Sequence, residues 1–436
     1  MTLAERLAKI LGTDLPVAVA LYDGSRLGPA DAPATVVVRS PDALRRVVQA
    51  PGELGFARAY VAGDIDVDGD VFAALDLRDR FAASMGRHRK RRLLRLRPSR
   101  PPAAGANVGL RDGALALRLA GARTLRPLPP PPEETRLHGI RHSKARDAAA
   151  IAHHYDLSND FYRLLLGPSM TYSCAVWSDD TTSLEAAQDA KHELVSRKLA
   201  LEPGVRLLDI GSGWGSMVLH AAQRHHLHAV GVTISRNQHD LATKRVAEAG
   251  LADRVDMRLE DYRDVGDGPY DAVSSIGMFE HVGLARLSEY FRRIHTLLRP
   301  GGRLLNHAIG RPAHMTHGRG RAATKASAFI DRYVFPDGEL HELGAVVSAM
   351  QHAGFEVRHV ESLREHYALT LRRWVANLEA AWESAVEQVG SARARVWRLY
   401  LAGSALAFEA DRTQIHQVLA TKTVDGASGM PLRPAF

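Results

Sequence analysis

The stretch Arg206-Leu-Leu-Asp-Ile-Gly-Ser-Gly-Trp-Gly215 decides the fold, because it reads as a short apolar strand running into a glycine-rich turn and then into a helical pattern. Glycines there let the backbone bend tightly and approach a ligand that side chains would exclude. Working outward, Ala229-Val-Gly-Val-Thr233, Arg254-Val-Asp-Met-Arg258, Tyr270-Asp-Ala-Val-Ser-Ser275 and Arg303-Leu-Leu-Asn-His-Ala308 are again short apolar runs, with helix-like segments among them. This alternation predicts an α/β chain with a doubly wound, Rossmann-like parallel sheet whose ligands sit at the carboxyl ends of the strands. Residues 146–200 and 370–420 read as helical additions, the second rich in Trp, Leu and Ala and expected to pack over one side.

Upstream, residues 16–78 alternate β-rich runs such as Thr35-Val-Val-Val-Arg39 with turn signals at Asp23-Gly24 and Asp68-Gly69. These predict a smaller N-terminal α+β domain over 1–86. A linker over 87–135 opens with Arg87-His-Arg-Lys-Arg-Arg-Leu-Leu-Arg-Leu-Arg-Pro-Ser-Arg100 and closes on Arg126-Pro-Leu-Pro-Pro-Pro-Pro-Glu-Glu134, where prolines favour extended geometry. The catalytic domain is placed at 136–436. The basic run reads either as a solvated face or as a contact with anionic lipid headgroups, with Leu93, Leu94 and Leu96 available to dip into the interface. It has no aromatic residue for base stacking, which argues against nucleic acid.

The 436 residues are 45% hydrophobic and 24% charged, a globular composition that excludes disorder throughout. Lys and Arg outnumber Asp and Glu by 57 to 49, and the net charge of +8 points to an anionic partner. The one cysteine, Cys174, excludes an intramolecular disulfide and a multi-cysteine zinc site, and no metal is expected. The N-terminus lacks the apolar core of a signal peptide, and no window approaches the roughly 18 apolar residues of a spanning helix. The expectation is a cytoplasmic protein, peripheral at the inner face of the membrane.

The second strand ends Val232-Thr-Ile-Ser235, without the acidic residue a nicotinamide cofactor needs, and no Gly-Lys-Ser/Thr cradles a triphosphate. Asp209-x-Gly-x-Gly-x-Gly215 with Glu260-Asp261 after the third strand instead resembles class I S-adenosylmethionine-dependent methyltransferases. The segment Gly277-Met-Phe-Glu-His-Val-Gly283 lacks the Asn/Asp-Pro-Pro-aromatic pattern of nucleic-acid amino-methyltransferases. Further motifs are His154-Tyr-Asp-Leu-Ser-Asn-Asp-Phe-Tyr162, Met170-Thr-Tyr-Ser-Cys-Ala-Val-Trp177, Phe335-Pro-Asp-Gly338 and His366-Tyr-Ala-Leu-Thr-Leu-Arg-Arg-Trp374. Together they make the chain resemble the cyclopropane-fatty-acyl-phospholipid synthase family from about residue 145 to 420. Within that family the N-terminal stretch is most similar to the actinobacterial fatty-acid methyltransferases of 10-methyl (tuberculostearic) acid synthesis.

The resemblance implies S-adenosylmethionine as methyl donor, a bicarbonate ion as base, an oleoyl-type phospholipid as substrate and a flavin-dependent reductase as partner, and it leaves a homo-oligomer open. It implies that Cys174, Glu280, His307, the backbone of Ile309 and Tyr367 hold the base. Thiol, imidazole and phenol can donate to an oxyanion, while Glu280 can accept from a protonated oxygen or orient His307. Tyr172, Ser173, Gly211, Gly213, Thr233, Ile234, Gln238, Glu260 and Asp261 carry over as cofactor contacts. Taken singly, Cys174 reads as a small buried hydrophobe, His307 as a core histidine, Tyr367 as a packing residue and Glu280 with His281 as a solvated pair. Two departures from close relatives are Ser212 and Ser404, where cysteines are common. The product is left open between a methylene-bearing chain and a cyclopropane ring, and a soluble small-molecule substrate is the rival reading.

Overall fold

The computed structural model describes residues 2–50, 52–75, 126–135, 146, 157–179, 182–316 and 327–436. The basic run at 87–100 lies outside them. The chain forms two compact units, Met1–Thr135 with Gly390–Gly403, and Arg136–Val389 with Ser404–Phe436.

In the first unit, helix α1 (Leu3–Leu11) starts at a capping box, in which Thr2 Oγ1 accepts from the Glu5 amide and the Glu5 carboxylate accepts from the Thr2 amide. Strands β1 (Ala18–Leu21), β2 (Arg26–Leu27), β3 (Ala34–Val38) and β4 (Ile65–Gly69) form a sheet in the order β2-β1-β3-β4. Alternate residues Val36 and Val38 of β3, and Ile65 and Val67 of β4, are buried, as a half-buried sheet requires. Helices α2 (Pro41–Gln49) and α3 (Glu53–Val61) connect β3 to β4. The expected catalytic span of 136–436 loses Gly390–Gly403 to this unit. Arg395 pairs with Asp66 at 2.8 Å, and Arg398 donates to the carbonyls of Val67 and Gly69.

In the second unit the described helices before the sheet are α4 (Asn159–Leu166) and α5 (Leu184–Leu199), separated by a non-helical segment that carries Tyr172 to Trp177. Then follow β5 (Arg206–Ile210), α6 (Ser216–His225), β6 (His228–Thr233), α7 (Arg236–Glu248), β7 (Val255–Leu259) and β8 (Tyr270–Ile276). After them come α8 (Leu287–Leu297), β9 (Leu298–Gly310), α9 (Leu343–His352), β10 (Glu356–Ser362), α10 (Arg364–Ala380), α11 (Trp382–Val389), α12 (Ser391–Glu409), of which only the part from Ser404 belongs to this unit, and β11 (Gln414–Thr421). The sheet order is β10-β11-β9-β8-β5-β6-β7, with β11 antiparallel to both its neighbours and the other pairs parallel.

Both faces of the sheet are covered, and β5 shows why. Leu208 and Ile210 pack on one side with Tyr290, Phe291 and Ile294 of α8, while Leu207 packs on the other with Val195 and Leu199 of α5 and Val218 of α6. A strand buried on both faces needs apolar side chains on both, which Leu207, Leu208 and Ile210 supply, while its one buried acid, Asp209, is held by Ser274 Oγ at 2.6 Å. The expectation that 370–420 is helical throughout fails at its end, where the chain turns at Asp411 with φ of 50° and enters β11. Ile415, Val418, Leu419 and Ala420 are buried there, and burial between two strands decides the conformation.

Candidate active site

The carboxyl ends of β5 to β8 open onto a cavity of about 1170 Å³, its mouth included. Gly211, Gly213 and Gly215 turn the chain out of β5 at φ of 77°, 56° and 80°, a left-handed backbone that costs other residues about 1–2 kcal/mol each. A Cβ on Gly211 would fall 2.8 Å from the Met278 Cβ, so packing within the protein excludes it. A Cβ on Gly213 would meet no protein atom within 4 Å. Gly213 is therefore the place where a side chain would fill the cradle itself.

Every residue expected to touch the cofactor lines this cavity. Tyr172 and Ser173 come from the segment before α5, Gly211 and Gly213 from the turn, Thr233, Ile234 and Gln238 from the β6–α7 junction, and Glu260 and Asp261 from just beyond β7. Thr233 Oγ1 donates to Gln238 Oε1 at 2.8 Å. Asp261 accepts from two nitrogens of Arg263 at 2.8 and 2.5 Å, whereas Glu260 lies 3.8 Å from Arg258, so Glu260 is the more open acceptor.

Lys191 and His192 also line the cavity, and the sequence reading passed over both. Lys191 is wholly buried, with Nζ 3.2 Å from His192 Nδ1. Burial pulls its ammonium down to about 7, against the opposing pull of Asp209 and Cys174. Asp209 accepts from Ser274 Oγ at 2.6 Å and is pushed up to about 6 by burial. A signal for Lys191 was available, since it lies four residues after Ala187 and four before Val195, on the buried stripe of α5.

The residues expected to carry the chemistry do not line the cavity, yet a run of backbone bonds gathers them. The Cys174 thiol reaches the Leu363 carbonyl at 3.6 Å, the Leu363 amide donates to Ile415 O at 3.0 Å, Ile415 pairs with Ile309 across β11 and β9, and the Ile309 amide donates to Glu280 Oε1 at 2.7 Å. His307 is two residues from Ile309 on the same face of β9, and the Tyr367 amide donates to Leu363 O at 3.0 Å. Trp374 joins the two halves, its ring 5.4 Å from Tyr172 and 6.0 Å from Tyr367.

Burial sets the protonation of this cluster. It pushes Glu280 up to about 7, despite the Ile309 amide, and lifts the Cys174 thiol well above its ordinary value. It lowers His307 well below its ordinary value, aided by Lys191. Glu280 Oε2 and both ring nitrogens of His307 are buried with no hydrogen-bond partner among the described residues. Such atoms cost about 1–3 kcal/mol each, and folded proteins keep them where a ligand, ion or water completes the bonding. A thiol, a neutral imidazole and a carboxyl near its titration point form a donor and acceptor set that suits a small oxyanion.

Residues 142–418 match the family of mycolic acid cyclopropane synthetases. The chain belongs to that family. A probable fatty acid methyltransferase of Mycobacterium tuberculosis is 44% identical over 431 residues, covering 96% of this chain and 94% of the relative. The tuberculostearic acid methyltransferase UfaA1 of the same organism is 34% identical over 426 residues, covering 95% and 90%. Among solved structures, mycolic acid cyclopropane synthase CmaA1 complexed with SAH and CTAB matches with a TM-score of 0.59 at 35% identity, over 63% of this chain and 97% of that one. This cyclopropane synthetase family member is an S-adenosylmethionine-dependent enzyme of the fatty acid methyltransferases and cyclopropane synthases. Its glycine cradle and polar cavity wall fit that cofactor, with Gly213 allowing close approach and Glu260 offering an acceptor.

Proposed function

We propose that this enzyme methylates the double bond of an oleoyl-type acyl chain in a membrane phospholipid and yields a 10-methylene chain, which a flavin-dependent reductase partner converts to the 10-methyl acid. The observation that carries the reading is the set of orphaned buried atoms on Glu280 and His307 behind the cofactor wall. S-adenosylmethionine would supply an electrophilic methyl group, and a bicarbonate ion held by these residues would supply a base for the proton that the methylated chain must lose. Cys174, His307 and Tyr367 would hold that anion by donated hydrogen bonds, and Glu280, pushed up to about 7 by burial, would accept from its remaining hydroxyl. Lys191, its ammonium pulled down to about 7 by burial, stands in electrostatic reach of Cys174 and His307. Because an alkene is a weak nucleophile, the apolar packing of Trp374 and Tyr367 matters through alignment and exclusion of water.

The likeness to a tuberculostearic acid methyltransferase over most of both chains supports the methyl-branched product. Among the described residues no helix is long and apolar enough to cross a membrane, so the reading has the enzyme meet lipid from the side. The run at 87–100 supplies the cationic, leucine-bearing segment for an anionic surface. Gas chromatography and mass spectrometry of lipids from a host expressing the chain alone, then with a flavin reductase, test the proposal. A methylene chain alone and a methyl branch with the reductase are the expected pair. A cyclopropane product in both samples overturns the product assignment, and unchanged lipids with methylation of a soluble compound overturn the substrate.

A further inference from the structure

A second cluster lies on the paired helices α5 and α6, and none of its three members lines the cofactor cavity. Glu193 of α5 places Oε2 3.3 Å from Nε2 of His220 and 3.2 Å from Nε2 of His225, both on α6, and the three ligand atoms lie within 4.8 Å of one another. Hydrogen bonding does not account for this arrangement with a neutral ring. A neutral imidazole carries one N–H, yet His220 turns each nitrogen to a carboxylate, Nδ1 to Asp189 Oδ1 at 3.1 Å and Nε2 to Glu193. With the proton on Nδ1, the Nε2 lone pair points at an anionic oxygen, and His225 brings a further ring nitrogen to that same oxygen.

The surroundings are those of a metal ligand set. A carboxylate on the far nitrogen of a ligating histidine fixes its tautomer, and Asp189 does this for His220 while itself lying 3.6 Å from Arg224. The spacing agrees as well, since ligands about 2.0–2.1 Å from a tetrahedral ion stand about 3.3 Å apart. We propose that Glu193, His220 and His225 bind one divalent transition-metal ion of the zinc type, with water completing its shell on the exposed side of Glu193. Two imidazoles select such an ion over Mg²⁺ or Ca²⁺, which take oxygen ligands. The His220 ring lies 5.5 Å from His192, a residue of the cofactor wall, so the ion clamps α5 to α6 behind the glycine turn.

The test uses the full chain, purified without a histidine tag and stripped with chelator. Calorimetric titration with Zn²⁺ is expected to show one equivalent bound, weakened about tenfold or more by Glu193→Gln, His225→Gln and, through the tautomer, Asp189→Asn. His226→Gln, at an exposed neighbour, is expected to bind like the parent. Co²⁺ should give the visible absorption of a four-coordinate ion in the parent and lose it in Glu193→Gln. Metal-free melting curves and S-adenosylhomocysteine binding confirm that each variant is folded, and Asp189→Asn serves as the mild variant should a ligand substitution unfold the chain. Absence of a one-equivalent site in the parent, or equal binding by parent and ligand variants, overturns the proposal and leaves a protonated imidazole paired with carboxylates.

Discussion

Around the cofactor cavity most contacts follow directly on a strand, Tyr172 and Ser173 aside: the glycines on β5, Thr233 and Ile234 at the end of β6, Glu260 and Asp261 on β7. Around Glu280 the partners come from positions as distant as Cys174 and Tyr367, and they meet because β11 lies between β9 and the start of α10. The first region is made mostly of backbone shape, with Thr233 and Asp261 already paired and Glu260 open. The second keeps polar atoms buried and incomplete, at a cost that only a bound species relieves. Sites shaped by backbone tolerate changes of side-chain chemistry and fail on added bulk. Sites shaped by buried charge fail on loss of one atom.

Glu280→Gln should break that contrast most sharply if it is wrong. Turnover is expected to fall about 10²–10³-fold, the usual scale for losing one stabilising group in a dry site, while calorimetric S-adenosylmethionine affinity stays within about threefold. Near-normal turnover by the purified variant would remove Glu280 from the chemistry.

The same substitution should reveal the burial cost through pH. Glu280 titrates at about 7 in the folded chain against an ordinary 4.5, so the folded state binds its proton more tightly. Its contribution is complete below pH 4.5 and lost as pH rises through 7, by up to about 3 kcal/mol. Melting of the Gln variant should therefore rise relative to the parent between pH 5 and pH 8. Parallel curves would mean that the carboxyl is solvated in solution.

A smaller effect separates the glycines. Gly213→Ala should weaken S-adenosylmethionine binding about tenfold with little loss of melting temperature beyond the left-handed strain of about 1–2 kcal/mol. Gly211→Ala should lose stability first, because its Cβ meets Met278. Equal losses of affinity at unchanged stability in both would erase the distinction. Cys174→Ser should be mildest, at about threefold to tenfold in turnover, since a hydroxyl still donates toward Leu363 O. A complete loss in steady-state kinetics would show that the thiol itself is needed.

Legibility in the sequence follows the same division. Strand β5 was readable because Leu207, Leu208 and Ile210 put apolar side chains on both of its faces, and its turn was readable because left-handed backbone demands glycine. The cofactor residues, tied to those local signals, fell on the cavity wall. Strand β11 was not readable: Gln414, His416 and Gln417 interrupt its apolar residues, and its pairing with β9 spans more than a hundred residues. The gathering of Cys174, Glu280, His307 and Tyr367 came from family likeness rather than from any spacing between them. Glu193, His220 and His225 gave no pattern, because their proximity depends on how α5 packs against α6.

Strand β11, antiparallel to its neighbours in the seven-stranded sheet, also sets an order of events during translation. Ribosomes add about 5–20 residues per second, so β5 to β8 emerge on the order of ten seconds before β11. A growing chain can close its methyl-donor pocket in that interval, whereas the strand that pairs with Ile309 and His307 has yet to appear. The strands that bear the cofactor cavity thus precede, in the life of each molecule, the strand that completes the Glu280 cluster.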